Sequence, residues 1–223
     1  YNAWVSGQRD VAFDTGNQLL SYGRKHSNIR SSVMGYFIKG CSYFMNAELG
    51  PAIESFEEAV RIAADPYYGQ FPGLMLGMGY VSNGDIKGAE GILQHVLDFS
   101  RQYGTETIGT VAQVLLGLCA ISNGKLNRGI KMMEAGQKPY LENDSKWRHA
   151  LVEGLFGKVY LQMTDKDARI SPVAMAKNIG FLLTNLPVVN RKVEQHFTNA
   201  IELAREVNAR GILAQAYLDF GIY

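Results

Sequence analysis

The sequence predicts an all-α fold of stacked helix-turn-helix pairs, and three observations predict it. Sustained period-2 alternation is missing, so strands are not signalled. Apolar residues recur instead at helical spacing in blocks of about 12 to 18, cut by Gly, Asn, Asp and Pro. Two blocks also repeat one another. Gly79-Tyr80-Val81-Ser82-Asn83-Gly84 and Leu118-Cys119-Ala120-Ile121-Ser122-Asn123-Gly124 read as one element used twice.

The first full unit runs from Val33 to Pro66 and carries Gly40, Tyr43, Ala52, Phe56 and Ala59 at fixed spacing. Small groups at Gly40 and Ala52 let two antiparallel helices approach closely, while Tyr43 and Phe56 fill the space between them. Leu76, Gly77, Tyr80, Ala89, Leu93 and Val96 hold the same frame in a second unit starting near Gln70. Leu116, Gly117, Ala120, Gly129, Met133 and Gly136 hold it in a third. A fourth first helix has Gly157 and Tyr160, but its partner resumes only at Val193, Phe197 and Ala200. Gly157 to Val193 is 36 positions where the frame expects 12, so 24 residues are inserted, spanning about 164–190. Ala12, Gly16 and Leu19 mark a second helix at the start of the chain, and Ala214 and Tyr217 a first helix at its end.

This Gly-x2-Tyr-x8-Ala-x3-Phe-x2-Ala spacing resembles the tetratricopeptide repeat (TPR), a 34-residue helix-turn-helix. The resemblance covers nearly the whole chain and implies a right-handed α-solenoid of about five TPR-like repeats with one inserted helix, in a single repeat domain. The repeats are stretched, with 37 residues from Gly40 to Gly77 and 40 from Gly77 to Gly117. Stretched arrays of this kind, and the run from Val193 to Asp219 in particular, are similar to the C-terminal TPR regions of bacterial signalling proteins that join an adenylate cyclase to an AAA-type ATPase. The chain starts at Tyr1 without Met, and neither Tyr1 to Gly7 nor Leu213 to Tyr223 is polar enough to cap an array. The expectation is a fragment of a longer polypeptide.

Composition narrows the function. The 223 residues carry 22 basic and 21 acidic side chains, a net charge of +1, which argues against nucleic-acid binding. At 47% apolar the chain is too hydrophobic for disorder, yet no apolar run is long enough to span a bilayer. There is no secretory signal, and two cysteines, Cys41 and Cys119, each inside an apolar stretch, read as buried thiols in a reducing cytoplasm.

Chemistry is hard to find. His26, His95, His149 and His196 fall in different repeats and read as surface or groove-edge residues with no metal-ligand pattern. Gly73, Gly77 and Gly79 lie within a helical block rather than after a strand, so they do not cradle phosphate. Asp219-Phe220-Gly221 spells a kinase magnesium motif without the strand lysine or catalytic loop that would give it meaning. No metal, cofactor or enzymatic activity is expected.

The TPR frame assigns positions 2, 5, 9, 12 and 13 of each first helix to the concave face. They read Met34, Phe37, Cys41, Phe44 and Met45, then Phe71, Leu74, Met78, Val81 and Ser82, then Val111, Val114, Leu118, Ile121 and Ser122. Thirteen of the fifteen are apolar, which excludes the Lys- and Asn-lined clamp that takes a peptide carboxylate. Such a stripe asks for a cover: a partner's helix or apolar peptide, a neighbouring domain (a catalytic one included) or second copy of the chain, or simply the core of a tightly coiled array. Phe37→Glu with Met78→Glu is expected to abolish contact with the partner while helicity survives.

Within the insertion, Ser171-Pro172 reads as an N-cap and first helical residue. Val173 to Thr184 then reads as a short helix with an apolar face of Ala176, Ile179, Leu182 and Leu183, and Pro187 would end it. The insertion is either a lid over the groove or an irregular bulge. Trp147 and Arg148 are a candidate hot-spot pair. The function expected is a protein–protein interaction scaffold or regulatory segment of a bacterial signalling protein. The alternative is a sensory module holding a small apolar ligand in the superhelical cavity.

Overall fold

The computed structural model describes residues 9–142, 145–164 and 172–221. Among them it is all-α, in a helical-repeat arrangement. The helices are α1 (Arg9–Lys25), α2 (Ile29–Met45), α3 (Leu49–Ile62), α4 (Pro66–Ser82), α5 (Ile86–Tyr103) and α6 (Glu106–Ser122). They continue as α7 (Leu126–Glu142), α8 (Lys146–Gln162), α9 (Pro172–Asn185), a short 3-10 helix (Leu186–Val188), α10 (Val189–Glu206) and α11 (Arg210–Gly221). The chain divides into two compact units, Tyr1–Cys119 and Ala120–Tyr223.

Helix starts follow capping chemistry. Asn28, Asp65 and Asp85 each accept a hydrogen bond from a backbone N–H of the first turn, at Ser31, Tyr67 and Gly88 respectively. Pro66 adds a preset φ at the first position of α4. The duplicated Asn-Gly ends its helix the same way both times. Gly84 and Gly124 are left-handed, at φ 81° and 73°, and the next residue, Asp85 or Lys125, donates back to Tyr80 or Ala120. Ser27, Ala47 and Asn208 make the same turn at positive φ with a Cβ in place, which costs about 1 kcal/mol or more each.

In the first unit each helix from α1 to α4 packs on its successor, and α2 also meets α4. In the second unit α8 packs on α7, α10 and α11, while α9 rests on α7. Thus α10, not α9, is the partner of α8, as the frame requires when 24 residues are inserted.

Glycine sets the spacing within each pair. A Cβ on Gly40 would lie 2.5 Å from the Phe56 ring, on Gly77 2.4 Å from Leu93, and on Gly157 2.8 Å from the Phe197 ring. The first two pairs are 16 residues apart and the third 40, which is 16 plus the 24 of the insertion. Phe56, Leu93 and Phe197 are all fully buried. Both cysteines are free and buried, and burial pushes the Cys41 thiol up to about 12 and the Cys119 thiol up to about 11. Neither is a reactive thiol.

The inserted helix docks by a different face from the one its apolar pattern suggests. Leu182 is buried, but Ala176, Ile179 and Leu183 are exposed. Beside Leu182 the buried side chains of this helix are polar, Asn178 and Asn185. Asn178 Oδ1 accepts from the Leu126 N–H at 3.0 Å and its Nδ2 donates to the Gly124 carbonyl at 2.6 Å, capping α7 from 52 residues away. Unmet helix-end groups outcompeted apolar area here. Ser171 lies outside the described residues, as does Tyr1 to Gly7. Ala214 and Tyr217 are on α11 and face solvent, while Ala216 and Phe220 pack on Ala200 and Ile201 of α10.

Candidate functional site

The first unit brings the first two rows of the groove together, because α2 and α4 are neighbours. Three of the thirteen apolar groove positions offer almost no surface: Cys41, Leu74 and Val114 are 9%, 8% and 1% exposed. Met34, Phe37, Phe44, Met45, Met78, Val81, Val111, Leu118 and Ile121 are half-buried, and Phe71 is exposed. Phe37, Phe44 and Met78 also lean on the core cluster around Cys41, Phe56 and Met75, with the Phe37 and Phe56 ring centroids 6.3 Å apart. Glutamate at 37 or 78 would therefore strain that core, and the sequence-level double substitution is a poor test of binding. Phe71 and Met34, at equivalent places on α4 and α2, are the better handles.

A second constellation escaped the sequence reading. Glu153 of α8 is 5% exposed, and its carboxylate collects donors from three helices. His149 Nε2 lies 3.2 Å from Oε1, to which Gln137 Nε2 of α7 also donates. His196 Nδ1 of α10 lies 2.8 Å from Oε2, and Asn199 Nδ2 donates to the same oxygen at 3.2 Å. A carboxylate only accepts, so the proton of each imidazole sits on the nitrogen facing Glu153. His196 is stacked on Phe156 and Tyr160, with centroids 5.0 and 5.4 Å away. Burial pushes the Glu153 carboxyl up, but hydrogen bonds from His196, Gln137 and Asn199, with the charge of His196, outweigh it and hold it below its ordinary 4.5.

His149 and His196 are thus not surface residues, whereas His26 and His95 are exposed. The signal was available. Glu153 stands four residues before Gly157, where the first unit has Tyr36 before Gly40, and His149 lies one turn away on the same face. Among the described residues no group of three or more His, Cys, Asp or Glu is placed to hold a metal ion. The cluster fastens α7, α8 and α10, and every oxygen of Glu153 is occupied.

The remaining candidates are structural. Asp219 pairs with Lys158 at 2.9 Å and Phe220 stacks on Phe197, so Asp219-Phe220-Gly221 is a helix-packing motif. Arg148 lies over the Trp147 ring at 4.4 Å and donates to Ser145 at 2.9 Å. Lys192 donates to Tyr160 Oη at 3.0 Å and to Asn185 Oδ1 at 2.7 Å, tying the end of α9 to α8 and α10. No described helix is long and apolar enough to cross a membrane.

Comparison with protein-family models gives no match, and comparison with curated proteins gives none. Among solved structures the fold is similar to BtubC (BKLC) from P. vanneervenii, with a TM-score of 0.55 at 16% identity, over 96% of this chain and 87% of that one. The likeness is one of fold.

Proposed function

We propose that the chain is a TPR-like interaction scaffold, the regulatory or scaffolding segment of a larger cytoplasmic signalling protein of bacterial type. It takes a partner helix or peptide on the apolar face shared by α2 and α4. One observation carries this reading. The groove positions of these adjacent helices hold apolar side chains at nine of ten places, with no charge, and leave Phe71 39% exposed at their edge. A large aromatic in the open beside half-buried methionines is the composition of an adaptable protein-binding surface.

The test is a photo-crosslinking residue at position 71, with exposed Gln94 of α5 as the control position. A discrete protein adduct is expected at 71 only, and it should disappear when Met34→Glu is added. Equal labelling at both positions would contradict the groove. A small-molecule mass retained in native mass spectrometry would point to the sensory-module reading instead.

A further inference from the structure

Away from the groove, α1 and α2 frame an open cleft of about 580 Å³ lined by Asn17, Leu20, Ser21, Arg24, Lys25 and Lys39. Its charge is of one sign. Arg24 and Lys25 belong to the last turn of α1, where cations also complement the helix dipole, and alone they would mean little. Lys39 is the independent feature, because it reaches the same cleft from the other helix. Its stem passes directly over Gly16, where a Cβ would lie 2.6 Å from Lys39 Cγ. Its ammonium is steadied by rings rather than by an acid, 5.1 Å from the Phe13 centroid and 6.0 Å from that of Tyr43.

Among the described residues none of the three cations has a carboxylate within ion-pair distance. Of the α1 acids, Asp10 is taken by Arg9, and Asp14 pairs with no cation among the described residues. Asn17 and Ser21 supply polar groups between the charges, over a floor of buried Leu20. Such a cleft is complementary to anions. The two side chains leave opposite ends: the Lys39 stem crosses α1 at Gly16, its ammonium reaching on over Phe13 and Tyr43, and Arg24 stands eight residues beyond that crossing, a backbone rise of about 12 Å at 1.5 Å per residue. An extended chain covers about 13 Å in four residues, and residues four apart point to the same side.

We infer that the α1–α2 cleft is an anion-recognition site for an extended acidic peptide, with carboxylates at i and i+4 meeting Lys39 and Arg24. The inference does not rest on the groove, since Lys39 and the α1 residues lie off the row formed by Met34, Phe37 and Cys41. It is tested by fluorescence anisotropy at low salt with a labelled Gly/Ser peptide carrying Glu at i and i+4. Binding to the wild-type chain is expected, weakening with added salt. Arg24→Glu and Lys39→Met should each weaken it roughly tenfold with helicity intact, the Met keeping the stem over Gly16. Phe71→Glu should leave it unchanged, so loss of the groove reading and loss of this one are separable. No binding, equal binding of the Gln-substituted peptide, or indifference to both substitutions would overturn the proposal. Inorganic phosphate binding as tightly as the peptide would overturn it too, by making the cleft a free-anion site.

Discussion

Two residues show how a single side chain decides local structure. Gly40 is a contact residue: the buried Phe56 ring occupies the place its Cβ would take and has no room to retreat. Gly40→Ala should destabilise the first unit by about 1–3 kcal/mol, although alanine is the better helix former by about 1 kcal/mol. Gly91, mid-helix in α5 with nothing within 4 Å of its Cβ site, is the counter-case. Gly91→Ala should raise stability by about 0.5–1 kcal/mol, and opposite shifts in the denaturant midpoint would verify the pair. Glu153 is the electrostatic counterpart. Its carboxyl titrates lower in the folded chain than its ordinary 4.5, so its contribution is complete above about pH 4.5 and is lost as pH falls through the folded value. Glu153→Gln should cost about 3 kcal/mol at neutral pH and flatten the acid limb of stability against pH. An unchanged acid limb in the variant would mean that other carboxylates set it. Glycine contacts were legible in the sequence because they recur at one spacing. Glu153 was not, because its partners come from three helices and one of them follows an insertion.

At the scale of elements, the helices and their pairing were readable and the orientation of the insertion was not. Periodicity, caps and Asn-Gly stops mark helix limits locally, and the Gly-to-aromatic spacing identifies α10 as the mate of α8. For α9 the apolar pattern pointed Ile179 and Leu183 inward, but those residues are 61% and 71% exposed. The helix turns its Asn178 edge to α7 because the Leu126 N–H and the Gly124 carbonyl need partners there. Asn178→Ala should cost about 1 kcal/mol and lower hydrogen-exchange protection across α9 and the first turn of α7. Exchange that rises in α7 alone would show that α9 is held by Leu182 and Asn185 instead. The repeat frame lists candidate groove positions but not which of them are accessible, since Cys41, Leu74 and Val114 share the helical register of the open positions and differ only in how tightly their surroundings close.

Within each unit stability resides in pairwise helix contacts, between neighbours along α1 to α5 and between α8 and α10 across the insertion. The units Tyr1–Cys119 and Ala120–Tyr223 each carry their own buried set, so denaturation should resolve more than one transition by circular dichroism and by tryptophan emission, the latter including Trp147 in the second unit. Coincident curves would instead indicate a single cooperative block. Cys41 and Leu74 of the α2–α4 row belong to the core, so the proposed recognition falls to its open members, Met34 and Phe71 above all. That role is tested by the thermal unfolding of Met34→Glu/Phe71→Glu alongside its binding of the partner cross-linked at position 71. The expected result is an unchanged helical signal, a melting temperature within a few degrees of wild type, and loss of the partner. A variant that unfolds, or one that keeps its partner, would contradict it.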